Sequence, residues 1–151
     1  MIETTTGFSR RSLELDAASE VDRIVAFLQE NVLRRLHRQG AVVGISGGID
    51  SSVVLALCAR AFGSQRVVGI LLPEQESSPE SAELAHLLAK RFDVQTMIED
   101  ITPALLGAGC YRRRDEAVQR VFPEFEPDWK SKITLPGNLL EEDRLNIFSL
   151  T

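Results

Sequence analysis

The sequence predicts an α/β fold built on a parallel sheet, and three features carry that prediction. Ala41-Val42-Val43-Gly44-Ile45 and the stretch from Arg66 to Leu72 are short apolar runs rich in β-branched residues. Runs of this kind, without polar alternation, suit strands buried on both faces. Stretches of helical periodicity lie around and between them. Strand, helix, strand, helix, strand then follow one another at the spacing of right-handed crossover units.

Each element has its own signals. Residues 1–15 are polar and Thr-rich and read as a lead-in, with residues 16–151 as one domain. Asp16 caps a helix running towards Gly40, a natural terminator. Its apolar stripe is Val21, Ile24, Val25, Leu28, Val32 and Leu36, which leaves His37 as a solvated surface residue. After the first strand a helix spans about Asp50 to Phe62 and ends at Gly63. Following the second strand, Ser78 caps a third helix with Pro79 in its first turn. Ala82, Ala85, Leu88 and Phe92 form its buried face and His86 points away. Val94 to Ile98 is the third strand. Beyond Asp100, Thr102-Pro103 starts a short helix ending at Gly107 or Gly109, and Asp115 to Val121 reads as another. Pro123, Pro127 and Pro136 break any longer element, and helical spacing returns from Leu139 to Thr151.

Composition narrows the function classes. The 151 residues are 44% hydrophobic and 26% charged, with a formal net charge of −5. A net acidic chain argues against nucleic acid as partner, because phosphate backbones need a concentrated positive field. The basic run Arg112-Arg113-Arg114 is followed at once by Asp115 and Glu116, and reads as a self-paired, solvated cluster. Two cysteines, Cys58 and Cys110, make no disulfide framework and have no partners at metal-ligand spacing. Cys58 reads as a small core residue and Cys110 as part of a loop. No signal peptide and no membrane-length apolar stretch is visible, which gives a cytoplasmic reading with no membrane partner. Lys90, Lys130 and Lys132 read as surface lysines, and Tyr111 and Trp129 as anchors of the irregular second half.

The chemistry concentrates at Ser46-Gly47-Gly48-Ile49-Asp50-Ser51, between the first strand and the next helix. Gly47 and Gly48 permit backbone conformations that aim successive N–H groups into one nest, and they let a ligand approach the main chain. The helix that follows adds unpaired amides and its dipole. Ser46, Ser51 and Ser52 bring hydroxyls to the same place. All of this suits phosphate oxygens. A carboxylate at Asp50 conflicts with a polyphosphate unless a cation lies between them, and magnesium prefers one or two carboxylates with phosphate oxygens and water. The motif lacks the lysine of a Walker A loop. A plain Gly-Gly turn with Asp50 as a helix cap is the simpler reading. The full string at the carboxyl end of a parallel strand favours ATP with Mg2+.

Gly44-Ile45-Ser46-Gly47-Gly48-Ile49-Asp50-Ser51-Ser52 resembles the loop of the N-type ATP pyrophosphatases. Leu71-Leu72-Pro73 with Glu76-Ser77-Ser78, and Leu135-Pro136-Gly137-Asn138-Leu139, resemble segments of the NAD synthetase family within that group. The resemblance covers roughly Val21 to Thr151. It implies a parallel-sheet, Rossmann-like fold of the adenine nucleotide alpha-hydrolase type. It also implies a ligase that adenylates nicotinic acid adenine dinucleotide, releases pyrophosphate, and lets ammonia displace AMP to give NAD. On this resemblance Gly44, Ile45, Ser46, Gly47, Gly48, Ile49, Asp50 and Ser51 hold ATP, residues near Leu72 face the adenine, largely through backbone groups, and Asp50 binds magnesium. A homodimer is implied as well. No glutaminase-like domain precedes Val21, which points to free ammonia, or a partner, as the nitrogen source.

Two departures stand beside the resemblance. Of two arginines that help the family hold its dinucleotide, only Arg144 matches, within Glu141-Glu142-Asp143-Arg144. Glu141 and Glu142 suit the dipole of a helix N-terminus. The helical pattern stops at Thr151 without a cap, whereas the family that the chain resembles continues with further strands and has its first strand at the centre of the sheet. The resemblance therefore implies a domain incomplete at its C-terminus, with Ala41 to Ile45 as an exposed edge, either in a fragment of a longer enzyme or covered by a partner or a second copy. The alternatives are an adenylating amidotransferase acting on a different acid, and a non-catalytic nucleotide-binding fragment.

Overall fold

Asp16 starts the first helix as its spacing predicts. Its carboxylate accepts the Ser19 N–H at 3.2 Å, and α1 runs Ala17–Leu28. These details come from a computed structural model that describes residues 14–126, 129–134 and 149–150. From Gln29 to Arg35 the helix widens into π turns, in which each N–H reaches the carbonyl five residues back. The Leu36 N–H accordingly donates to the Asn31 carbonyl at 2.9 Å. Widening shifts the phase of the apolar stripe. Val25, Leu28 and Val32 pack on the core as expected, whereas Leu36 is exposed and Leu33 takes its place. The helix does not run to Gly40. It stops at His37, whose φ of 51° turns the chain while the Arg38 N–H closes on the Val32 carbonyl at 2.9 Å. His37 is exposed, in agreement with the stripe.

The chain divides into two compact units, Met1–Ile101 and Thr102–Thr151. In the first, β1 (Ala41–Gly44), β2 (Val67–Leu71) and β3 (Gln95–Ile98) form a sheet in the order β1-β2-β3. Both pairs are parallel, with Ala41 opposite Val67 and Val68 opposite Gln95. Helix α2 (Ile49–Phe62) connects β1 to β2, and α3 (Pro79–Arg91) connects β2 to β3. Gly63, at φ 84°, ends α2, and a 3₁₀ turn over Ser64–Arg66 leads into β2. Gly40 works at that join. A Cβ there would lie 1.8 Å from the Arg66 carbonyl oxygen, so only glycine lets the two strand entrances lie side by side.

One face of the sheet makes the core. Val43, Ile45, Val67, Leu71 and Val94 meet Leu55, Cys58, Ala61 and Phe62 of α2 and Ala85 and Ala89 of α3. The half-buried residues of α1 and its π extension pack on the same cluster, tied by Gln29 to the Ala61 carbonyl at 2.9 Å and by Arg60 to Asp22 at 2.7 Å. Residues that alternate with the core side chains face away. Val42 is 71% exposed and Met97 62%. This corrects the expectation that Ala41 to Ile45 is buried on both faces: among the described residues, helices cover one face only. The expected edge is present, since among those residues β1 pairs with β2 alone.

The second unit holds α4 (Thr102–Gly107), α5 (Cys110–Gln119) and a small antiparallel pair, β4 (Ile133–Thr134) with β5 (Ser149–Leu150). Helix α5 starts earlier than the sequence suggests, so Cys110 is its first residue and not part of a loop. Gly109, at φ 67°, provides the left-handed start. The arginine run is paired as expected, Arg112 with Glu116 at 2.6 Å and Arg114 with Asp115 at 2.8 Å. Arg114 also lies 5.6 Å from the centre of the Tyr111 ring, and Trp129 meets Phe125 edge to face at 6.3 Å. Burial pushes the Cys58 thiol up from its ordinary range, and the residue is only 6% exposed, while Cys110 is half-buried. Thiolate, not thiol, is the reactive form. A thiol reagent at mildly alkaline pH is therefore expected to label Cys110 first and Cys58 only on unfolding, with peptide mass mapping as the readout.

Candidate functional site

The loop after β1 gets its shape from contacts on both sides. Ile45 continues the pairing by donating its N–H to the Ile70 carbonyl at 2.9 Å, and its side chain is buried over Gly69. A Cβ on Gly69 would come within 3.0 Å of Ile45 Cδ1, so the glycine in β2 makes room for the residue that launches the loop. Gly47 then adopts a φ of 77°. Its α-hydrogens face the first turn of α3, where a Cβ would lie 2.6 Å from the Ser81 carbonyl oxygen and 3.1 Å from Leu84 Cβ.

Gly48 behaves differently. It is the N-cap of α2 with φ −80° and ψ 163°, a conformation open to any residue. The conformational demand read from the sequence for both glycines falls on Gly47 alone. At Gly48 an added Cβ would meet only the Ser46 hydroxyl, at 3.3 Å.

The three serines form a small web. Ser51 and Ser52 donate their hydroxyls to the Gly48 carbonyl at 3.1 and 2.7 Å. Ser46 Oγ accepts the Gly48 N–H at 3.4 Å and lies 3.2 Å from Ser51 Oγ. The Ser46 N–H donates to Ser51 Oγ at 3.3 Å. These hydroxyls hold the loop itself, where the sequence suggested donors directed at a ligand. The first backbone amides of α2 have no intrahelical acceptor by helix geometry, and they sit at the positive end of its dipole. Together with the left-handed turn at Gly47 they have the geometry that suits an anion.

A cavity of about 480 Å³ opens beside the loop, at the carboxyl ends of β1 and β2. Its floor comprises Gly44, Ile45 and Ser46 with Ile70, Leu71 and Leu72, and its far wall is Pro73, Glu74, Ser77 and Ser78 with Pro79, Ser81 and Ala82 of α3. Its volume and its largely apolar lining suit a small organic ligand. The wall is stiffened locally. The Ser77 N–H donates to the Glu74 carbonyl at 2.9 Å, the Glu74 N–H returns to Ser77 Oγ at 3.0 Å, and the Ile101 N–H holds the Pro73 carbonyl at 2.9 Å. Ser78 occupies the N-cap position of α3 with Pro79 next, but its hydroxyl donates to the Glu80 carboxylate and accepts no backbone N–H. That hydrogen bond holds the Glu80 carboxyl below the usual range.

Of the residues singled out in the sequence, Gly44, Ile45, Ser46 and Leu72 line this cavity. Gly47, Gly48, Ile49, Asp50 and Ser51 do not line it; they form the turn beside it and the first turn of α2, and Gly47 lines a second groove with Ser52 and the middle of α3. Arg144 and the Gly137-Asn138 segment lie outside the described residues. Asp50 is exposed in the first turn of α2, and among the described residues no cluster of three or more His, Cys, Asp or Glu side chains forms a ready-made metal cage. A single carboxylate beside an anion nest fits magnesium arriving with a polyphosphate, since that ion takes one or two carboxylates and completes its shell with phosphate oxygens and water. Sequence reasoning missed Ile70, Ser81 and Ala82. Ser81 acts through its main-chain carbonyl, which no side-chain pattern reveals.

A family model described as NAD synthase matches residues 20–119. An NH(3)-dependent NAD(+) synthetase of Rhizobium meliloti (strain 1021) is 48% identical over 143 residues, covering 95% of this chain and 42% of that protein. Among solved structures, the NH3-dependent NAD synthetase from Campylobacter jejuni subsp. jejuni NCTC 11168, in complex with the nitrate ion, matches with a TM-score of 0.53 at 26% identity. That match covers 77% of this chain and 44% of the other. A glutamine-dependent NAD+ synthetase from Acinetobacter baumannii, in complex with adenosine diphosphate, matches with a TM-score of 0.58 at 26% identity over 74% of this chain and 20% of that one. The shared architecture agrees with the Rossmann-like, adenine nucleotide alpha-hydrolase-type expectation. The chain spans less than half the length of the curated relative it matches.

Proposed function

The chain belongs to the NAD synthase family, and on that premise we propose that its loop serves ammonia-dependent NAD synthesis driven by ATP. In this reading the carboxylate of nicotinic acid adenine dinucleotide attacks the α-phosphorus of ATP. The bond to the β-phosphate oxygen breaks and pyrophosphate leaves. Ammonia then attacks the acyl carbonyl of the adenylate, AMP leaves with the bonding electron pair, and the amide of NAD remains after loss of a proton. The observation that carries the reading is the left-handed turn at Gly47 and the α2 start, next to an apolar cavity that Ser46 lines at the carboxyl ends of β1 and β2. The ADP described in the Acinetobacter relative supports an adenine nucleotide as occupant.

Roles follow from position. Backbone groups of Gly44 to Ser51 hold the polyphosphate, and Leu72, half exposed after β2, packs on the adenine. Asp50 would hold magnesium, and the ion would supply positive charge to offset that of the polyphosphate. Arg144 is assigned to the dinucleotide on the family resemblance alone. We assign the protein to the cytoplasm as a homodimer; no helix among the described residues is long and apolar enough to cross a membrane.

Product analysis tests the reaction class: AMP with pyrophosphate is the expected pair, and ADP with inorganic phosphate excludes adenylation. Asp50→Asn is expected to weaken magnesium-dependent ATP binding by about tenfold or more, roughly 1.4 kcal/mol. Because Asp50 is exposed and outside the core, its melting temperature should stay within a few degrees of the parent. Titration calorimetry with and without magnesium separates the two effects. An unchanged magnesium dependence removes Asp50 from the metal site.

A further inference from the structure

One charged side chain in the cavity beside the loop has no part in the roles given above. Among the described residues that line the cavity, Glu74 alone carries a charge, and it is half-buried in the far wall. Its place is fixed from several sides. The Ile101 N–H holds the preceding Pro73 carbonyl at 2.9 Å, and Ser77 exchanges two hydrogen bonds with the Glu74 main chain. The Glu76 N–H donates to Glu74 Oε1 at 3.0 Å. A carboxylate offers about four acceptor positions, so one amide orients the group without saturating it.

An acid on an apolar wall beside a polyphosphate is costly unless hydrogen-bond donors meet it. An adenine nucleotide has two places that can supply them. The adenine edge sets its 6-amino donor beside a ring-nitrogen acceptor, a pattern that suits a carboxamide. A carboxylate accepts only, and would oppose the lone pair of that ring nitrogen. The ribose instead presents two vicinal hydroxyls that can both donate at once. In dinucleotide-binding parallel sheets an acid some way beyond the phosphate loop takes the ribose 2′-hydroxyl. Glu74 follows closely on the end of β2 at Leu71. With phosphates at the loop after β1 and adenine against Leu72, the sugar lies between them, along the wall that Glu74 shares. We propose that the Glu74 carboxylate accepts the ribose 2′- and 3′-hydroxyls and makes the site selective for ribonucleotides. The inference rests on the adenine-nucleotide reading above and deepens it.

Calorimetric titration of the 151-residue chain with magnesium and either ATP or 2′,3′-dideoxy-ATP tests it. The parent is expected to bind ATP roughly tenfold or more tighter, because the dideoxy sugar loses both hydrogen bonds to the carboxylate. Glu74→Ala should bring the two affinities to within about twofold of each other, almost wholly by weakening ATP. Glu74→Gln keeps an oxygen for the Glu76 N–H and one acceptor for the sugar, so its preference should fall to about threefold. That variant carries the test if circular dichroism shows Glu74→Ala unfolded. Purine riboside triphosphate, which keeps the diol and lacks the 6-amino group, should weaken alongside ATP in both variants. A parent without preference for the ribose, or a preference that survives both substitutions, overturns the role of Glu74 while leaving the nucleotide site standing. An equal loss for all three ligands does the same, since Glu74 would then only brace its own loop. Purine riboside triphosphate left unweakened while ATP falls assigns Glu74 to the amino group and overturns the diol. A chain that binds none of the three overturns the nucleotide reading as well.

Discussion

Replacing Gly47 with valine is expected to reduce ATP affinity by about a hundredfold or more, the largest loss of any single change in the loop. Two effects add. The backbone at Gly47 sits at φ 77°, where an L-residue costs about 1–2 kcal/mol and a β-branched one more. The new Cβ would also lie 2.6 Å from the Ser81 carbonyl oxygen, a backbone atom in the first turn of α3 that cannot rotate aside. Either the loop flips or α3 moves, and in both cases the amides no longer converge. A hundredfold corresponds to about 2.7 kcal/mol, within what these effects supply. Gly48→Ala is the control. It keeps an ordinary φ and touches one hydroxyl, so its melting temperature should change little. Equal losses for the two variants in a calorimetric titration would show that the left-handed turn is not what binding depends on.

Gly40→Ala is expected to destabilise the fold by about 3 kcal/mol or more. The added methyl would fall 1.8 Å from the Arg66 oxygen and 2.8 Å from its carbonyl carbon. Relief requires β1 and β2 to part at the very point where Ala41 pairs with Val67. Gly44→Ala, four residues on at the end of β1, meets nothing within 4 Å and should lie within about 1 kcal/mol of the parent. Urea denaturation of the three proteins measures the contrast. A Gly40 variant as stable as the Gly44 variant would mean that the strand entrances can separate freely.

These two glycines also show where sequence reasoning reaches its limit. Strands of the first unit are legible as short β-branched apolar runs and its helices as apolar residues recurring at a period of about 3.6, signals that survive whatever the neighbours do. The phosphate loop is legible because its chemistry is local. Gly40 is not, since its neighbour Arg66 is distant in sequence and the contact is between main chains. The same blindness hides the Ser81 carbonyl behind Gly47. The widened turns from Gln29 to Arg35 leave no mark in composition, so periodicity places Leu36 in a stripe that Leu33 completes. Burial of Ala41 to Ile45 is overread because an apolar run reports what a strand tolerates, not how many layers cover it.

The web of serine hydroxyls around Gly48 has a consequence for how a nucleotide would be received. Ser51 and Ser52 spend their donors on the Gly48 carbonyl, and Ser46 accepts the Gly48 amide. An incoming phosphate therefore meets a loop that is already folded. It loses little freedom of the chain on arrival, but any hydroxyl it recruits must first let go of the backbone. Attraction comes mainly from amides that have no other acceptor, and the serines act as a brace that keeps those amides aimed while the site waits.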